Sequence, residues 1–150
     1  MALALRRFSA ALAITGPGAG AAFAALAAGS KAARLLRVEM SLKAATATNV
    51  GLIRAVTEGT ATTTTAGQAH NPSDGASGAS IASAWSAAPT IAGSPVYMRR
   101  VLLPATVGTQ LVWTFDDVEM LVAPGTPLLL WNFGAGAASD VELGLTWNEP

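Results

Sequence analysis

Residues Arg34 to Lys43 read Arg-Leu-Leu-Arg-Val-Glu-Met-Ser-Leu-Lys and alternate apolar with polar for most of their length. Leu36, Val38, Met40 and Leu42 fall on one side, while Leu35, Arg37, Glu39, Ser41 and Lys43 fall on the other. That is the period of two expected of a strand with one buried face. A strand of this kind must be covered by a second layer, so the stretch is expected to be the central strand of a β-sandwich.

The rest of the chain supplies the partners. Val96 to Leu103 reads as a strand ended by Pro104, and Thr109 to Phe115 as another, with Leu111, Trp113 and Phe115 on one face. Val118 to Val122 is a third, and Leu128 to Phe133 is nearly all apolar, as a strand buried on both faces would be. Val141, Leu143, Leu145 and Trp147 then alternate cleanly with Glu142, Gly144, Thr146 and Asn148. Many short strands with no long amphipathic helix indicate a sandwich or jelly roll.

The first thirty residues admit two readings. Arg6 and Arg7 precede the apolar run Phe8 to Ile14, and Ala27-Ala28-Gly29 offers a small-residue cleavage site, as in a signal peptide. Gly16-Pro17-Gly18 breaks that run, leaving it far short of the roughly twenty residues of a bilayer span. Two strands, about residues 5 to 14 and 20 to 27, joined by a turn through Gly16 to Gly20, fit better. Val50 to Val56 is a further short strand, although Ile53 spoils its alternation.

From Thr57 to Ser80 apolar periodicity vanishes in favour of Thr, Ala, Gly and Ser, so a long loop is expected, ordered by something outside the domain. Ile81, Ala84 and Trp85 then recur at helical spacing before Pro89. This predicts a short helix near residues 80–87, with Ser77 or Ser80 as N-cap and Trp85 plugging an open end of the sandwich. The expectation is one all-β domain over 1–150, an antiparallel, jelly-roll-like sandwich, with 1–28 as N-terminal strands or arm and 57–80 as a loop.

Charged residues make up 12% of the chain, nine basic against nine acidic, about half the usual share of roughly 25%. That balance argues against a nucleic-acid or anionic-membrane surface. It also leaves an exterior of small residues suited to close contact between subunits, although a GC-rich coding sequence would enrich alanine and glycine as well. There is no cysteine, so disulfides and thiolate metal sites are excluded.

Catalysis needs a titratable group tuned beside a reacting position. The sole histidine, His70, stands near Asn71, Ser73 and Asp74, but triads are assembled from distant segments, and a solvated or interface role is expected for it. Asp116, Asp117 and Glu119 would suit a hard cation or, more plainly, a β-turn. Arg99 and Arg100 lie on opposite faces of one strand, so one of them points inward or into a subunit contact and needs a partner such as Asp140 or Glu142. No cofactor is expected, no glycine-rich phosphate loop opens a helix, and Trp113, Trp131 and Trp147 at strand positions suit core packing better than a sugar platform.

The opening Met-Ala-Leu-Ala-Leu-Arg-Arg-Phe, the strand KAARLLRVEMSL, the segments ASAWSAAPT, YMRRVLLPATVGTQLVWTF and APGTPLLLWNFGAG, and the Trp-Asn-Glu terminus together resemble small structural proteins of tailed bacteriophages. The resemblance covers most of the chain, and its motifs are structural. It implies a non-enzymatic β-sandwich of the virion, assembled in the host cytoplasm and commonly a homotrimer. Such a protein decorates or cements the capsid by binding the major capsid protein. The alternatives are a tail or fibre-base component, or a carbohydrate-binding module using Trp85 or Tyr97. Interface candidates are Arg6, Arg7, His70, Asn71, Asp74, Arg99 and Arg100, with the 59–80 segment and the N-terminal segment reaching neighbouring subunits.

Overall fold

In a computed structural model, which describes residues 5–150, the chain forms twelve strands and no helix among the described residues. Residues 1–4, part of the expected N-terminal arm and of the opening motif, lie outside the described residues. The strands are β1 (Arg6–Ile14), β2 (Ala21–Ala27), β3 (Ala33–Leu42), β4 (Thr48–Arg54), β5 (Thr60–Ala66) and β6 (Gln68–Ala69). They continue with β7 (Ser80–Ala87), β8 (Arg99–Leu103), β9 (Gln110–Thr114), β10 (Met120–Val122), β11 (Leu128–Asn132) and β12 (Val141–Glu149).

Two antiparallel sheets result. One runs β6-β1-β12-β3, with β9 and β10 sharing the far edge of β3; the other runs β5-β7-β2-β11-β4-β8. The pairings nest: β1 with β12, β2 with β11, β3 with β9 and β10, and β4 with β8. That is one long hairpin rolled up, the jelly roll expected from the sequence. The strands β5, β6 and β7 are an insertion between β4 and β8, and they extend both sheets on the side away from β8 and β9.

The core lies between the sheets. Phe8, Val38, Phe115, Val141 and Trp147 meet Phe23, Leu26, Leu52, Ile81 and Leu128 across it, all essentially without exposed surface. The alternation of β12 delivers Val141, Leu143, Leu145 and Trp147 to this layer as expected. A second, smaller cluster covers the outer face of the β2–β11–β4 sheet, where Ile53, Leu129 and Trp131 pack under Ile91, Tyr97 and Phe133. The Leu128–Asn132 strand is therefore buried on both faces, which is why it carries no polar alternation.

Four expectations need correction. Residues 80–87 are strand β7, because Ile81 enters the core and the backbone pairs with both β2 and β5; that pairing overrides a helical spacing built from three side chains. Ser77, the expected cap, instead accepts from Gly67 N–H and donates to the Ala79 carbonyl. The 57–80 segment holds β5 and β6, which were invisible because neither buries an apolar face. In β3 the register slips opposite Thr146 and Trp147, so Leu35 joins the main core with Val38, Met40 and Leu42. Leu36, placed on the core side by strict alternation, is buried outside that cluster; a bulge re-aims side chains in this way.

Candidate functional site

The sandwich has two open sides, and the seven interface candidates divide between them. Five gather where the insertion meets β1. Arg7 O accepts from His70 N–H, and the His70 ring meets the Ser9 hydroxyl at 2.9 Å. Asn71 closes the turn that follows, its side-chain oxygen accepting from Ser73 N–H and its carbonyl from Asp74 N–H. Arg7 itself is exposed and donates to the Asn148 side chain.

Arg6 is held more deeply, by Glu149. The Glu149 carboxylate is buried and accepts from Gly78 N–H, Ala79 N–H and Trp147 Nε1–H at 2.8 to 2.9 Å, with the Arg6 guanidinium 3.9 Å away. One side chain near the C-terminus thereby ties down the end of the loop leading into β7. Three neutral donors and a nearby cation satisfy its oxygens, as a buried carboxylate requires. Nothing in the residue pattern marked it, because two of its three donors are backbone groups brought in by the loop.

Arg99 and Arg100 lie on the opposite side, on edge strand β8, and neither meets the carboxylates proposed for it. Arg99 sits over the Phe115 ring, and Arg100 stacks on Phe133 at 4.2 Å and on Tyr97 at 5.2 Å. Glu142 pairs with Lys43, and Asp140 accepts from Gly16 N–H. Delocalised guanidinium groups on aromatic faces keep their charge without a carboxylate.

The stretch of chain that holds β8, β9 and β10 also carries most of the exposed large apolar side chains. Of the eight large apolar side chains exposed among the described residues, six lie between Val96 and Leu121: Val96, Leu102, Val107, Val112, Val118 and Leu121. Asp116, Asp117 and Glu119 belong to the exposed bend between β9 and β10. Among the described residues no group of three His, Asp or Glu side chains converges as a metal ligand set would.

Trp85, expected as an end plug, instead lies half-buried on the outer face of its sheet and lines a cleft with Glu58, Thr60, Ala82 and Pro127. Tyr97 is tilted against Phe133 at 5.5 Å and packs over Gly51, where a Cβ would stand 2.4 Å from its ring. Comparisons with protein-family models, with curated proteins and with solved structures found no match.

Proposed function

We propose that this chain is a non-enzymatic structural protein of a tailed-bacteriophage virion, a capsid decoration or cement protein that binds the major capsid protein and stabilises the head. In this reading it acts as a homo-oligomer, a trimer where it stands on a capsid three-fold. The observation that carries it is the exterior: a complete jelly roll whose exposed large apolar side chains are concentrated between Val96 and Leu121, on a chain with few charges to keep that surface apart from others. Large apolar side chains left exposed along one stretch of chain are candidates for burial against a partner. The resemblance of its segments to phage structural proteins gives the class of partner.

Physically, a cement subunit works by spanning joints between capsomers, so that its binding free energy must be lost before the shell opens. Obligate contacts of this kind bury areas often above roughly 2,000 Å² and are more apolar than transient ones. The test is to add purified protein to heads that lack it. Stoichiometric co-sedimentation and a raised rupture temperature are expected. Failure to bind heads together with binding to isolated tails would move the protein to the tail or fibre base.

One observation favours a second reading, a carbohydrate-binding module: the half-buried Trp85 forms a wall of an open cleft that also holds Glu58. Tyr97 is committed to Phe133 and Arg100 and does not share that cleft. Quenching of Trp85 fluorescence by soluble oligosaccharides, abolished in Trp85→Ala, would establish this reading instead.

A further inference from the structure

Strand β5 is anomalous. Its sequence is Thr-Ala-Thr-Thr-Thr-Thr-Ala, six of its seven residues are exposed, and both of its faces are therefore open. It is an outermost strand of its sheet and pairs only with β7 among the described residues. Its outer row of backbone N–H and C=O groups thus has no strand beside it.

Exposed edges are normally guarded by charge, proline, brevity or bulges. Most other edges follow that rule: β8 carries Arg99 and Arg100 and is followed by Pro104, β6 has two residues, and β10 has three and follows the acidic bend at 116–119. The exception is β9 on the free edge of β3, uncharged as well, but it is five residues long against seven and turns Leu111 into the core, so it is open on one face only. In β5 the register with β7 is irregular before Thr64, but the strand has no charge, no proline and five β-branched threonines. Such residues favour extended backbone and pair well across strands.

We infer that β5 is a self-pairing edge, which takes the β5 strand of a second copy of this chain antiparallel across a two-fold axis near Thr63. Charge favours one direction. Glu58 lies just before β5, and the exposed Arg7, whose carbonyl accepts from His70 N–H, lies beyond its other end, past Gly67. Antiparallel pairing sets the acidic end of each strand beside the basic end of its partner, whereas parallel pairing sets like beside like. With the axis at Thr63, Thr62 faces Thr64 and Ala61 faces Thr65, so every opposed pair is small and uncharged. The contact is isologous and joins copies two at a time. It rests on the self-association within the reading above but not on capsid binding: a two-fold contact does not close a trimer, so it makes a dimer of single subunits or joins two trimers back to back, and in either case its loss halves the mass.

Two measurements on the full chain decide it. Residues opposed across an antiparallel pair have Cα atoms about 4.5 to 5.5 Å apart, within the roughly 4.4–6.8 Å a disulfide spans. Since the chain has no cysteine, Thr63→Cys under mild oxidation should give a linked dimer in high yield, and Thr46→Cys in the β3–β4 turn should not. Thr63→Pro should halve the mass of the assembly seen by light scattering. Thr63→Lys should do the same without disturbing β7, which covers the chance that proline unfolds the hairpin. A mass unchanged in Thr63→Lys, equal linkage in the two cysteine variants, or a wild-type chain that stays a single subunit at all accessible concentrations overturns the inference. Heads that still bind Thr63→Lys leave the decoration reading standing, so the two can fail separately.

Discussion

At the scale of single residues, the jelly roll is held by buried polar side chains that satisfy backbone groups at its ends. Asn132 is buried; its amide donates to the carbonyls of Pro17, Gly18 and Gly136, and its oxygen accepts from Gly134 N–H. It thereby locks the β1–β2 turn onto the β11–β12 loop. Removing one partner of a buried hydrogen bond costs about 1–3 kcal/mol. Asn132→Ala is thus expected to lower stability by about 2 kcal/mol, read as a reduced urea midpoint with an unchanged slope. Glu149→Ala orphans Gly78 N–H, Ala79 N–H and the Trp147 indole together and is expected to cost about 3 kcal/mol. Glu149→Gln keeps an acceptor oxygen and should cost roughly half as much. Neither residue was legible in the sequence. Both stand at the ends of strands that were themselves readable, but most of their partners are backbone groups contributed by remote loops, which no spacing reveals.

At the scale of elements, legibility followed burial. The strands β3, β9, β11 and β12 were readable because each presents at least one face to the core, and a buried face leaves a period in the sequence. The fully apolar Leu128–Trp131 run was readable for a related reason, the second cluster on its outer face. By contrast β5 buries neither face, so a strand of threonines reads as a loop, and β7 is built largely of Ala and Ser, whose spacing does not separate helix from strand. The β7–β8 connection, residues 88–98, which lays Ile91 and Tyr97 as a strap over the outer face of the β4–β11 sheet, was also hidden, because it depends on Gly51. With a Cβ at that position the Tyr97 ring must move. Gly51→Ala is expected to displace the strap and cost about 1–3 kcal/mol, as overpacking does. Near-ultraviolet circular dichroism should register the altered Tyr97–Phe133 packing while the far-ultraviolet sheet signal persists.

At the scale of the whole molecule, the two sides of the sandwich differ in what they expose. The side built from β8, β9 and β10 carries cations stacked on aromatic rings and most of the exposed large apolar side chains. The opposite side carries β5, uncharged and open on both faces. Leu102 is an exposed side chain on β8, so Leu102→Asp should leave the thermal midpoint of the isolated protein within about 2 °C of wild type, a change below roughly 0.5 kcal/mol. On heads, the same substitution should weaken binding by at least about tenfold, since a charge pressed into an apolar contact is desolvated without a partner. The fold class was legible at this scale, and so was the shortage of charge; which apolar side chains stay exposed was not, because it depends on which strands become edges.

The most direct measurement is difference imaging of whole phage particles by electron cryomicroscopy, comparing intact virions with virions made without this protein. Density of a β-sandwich seated on the outer capsid surface across capsomer joints, present in the first and missing in the second, is the expected result. Identical heads in the two populations, with the protein recovered free in solution as a single subunit, would contradict the proposal that it is a covered building block of the shell.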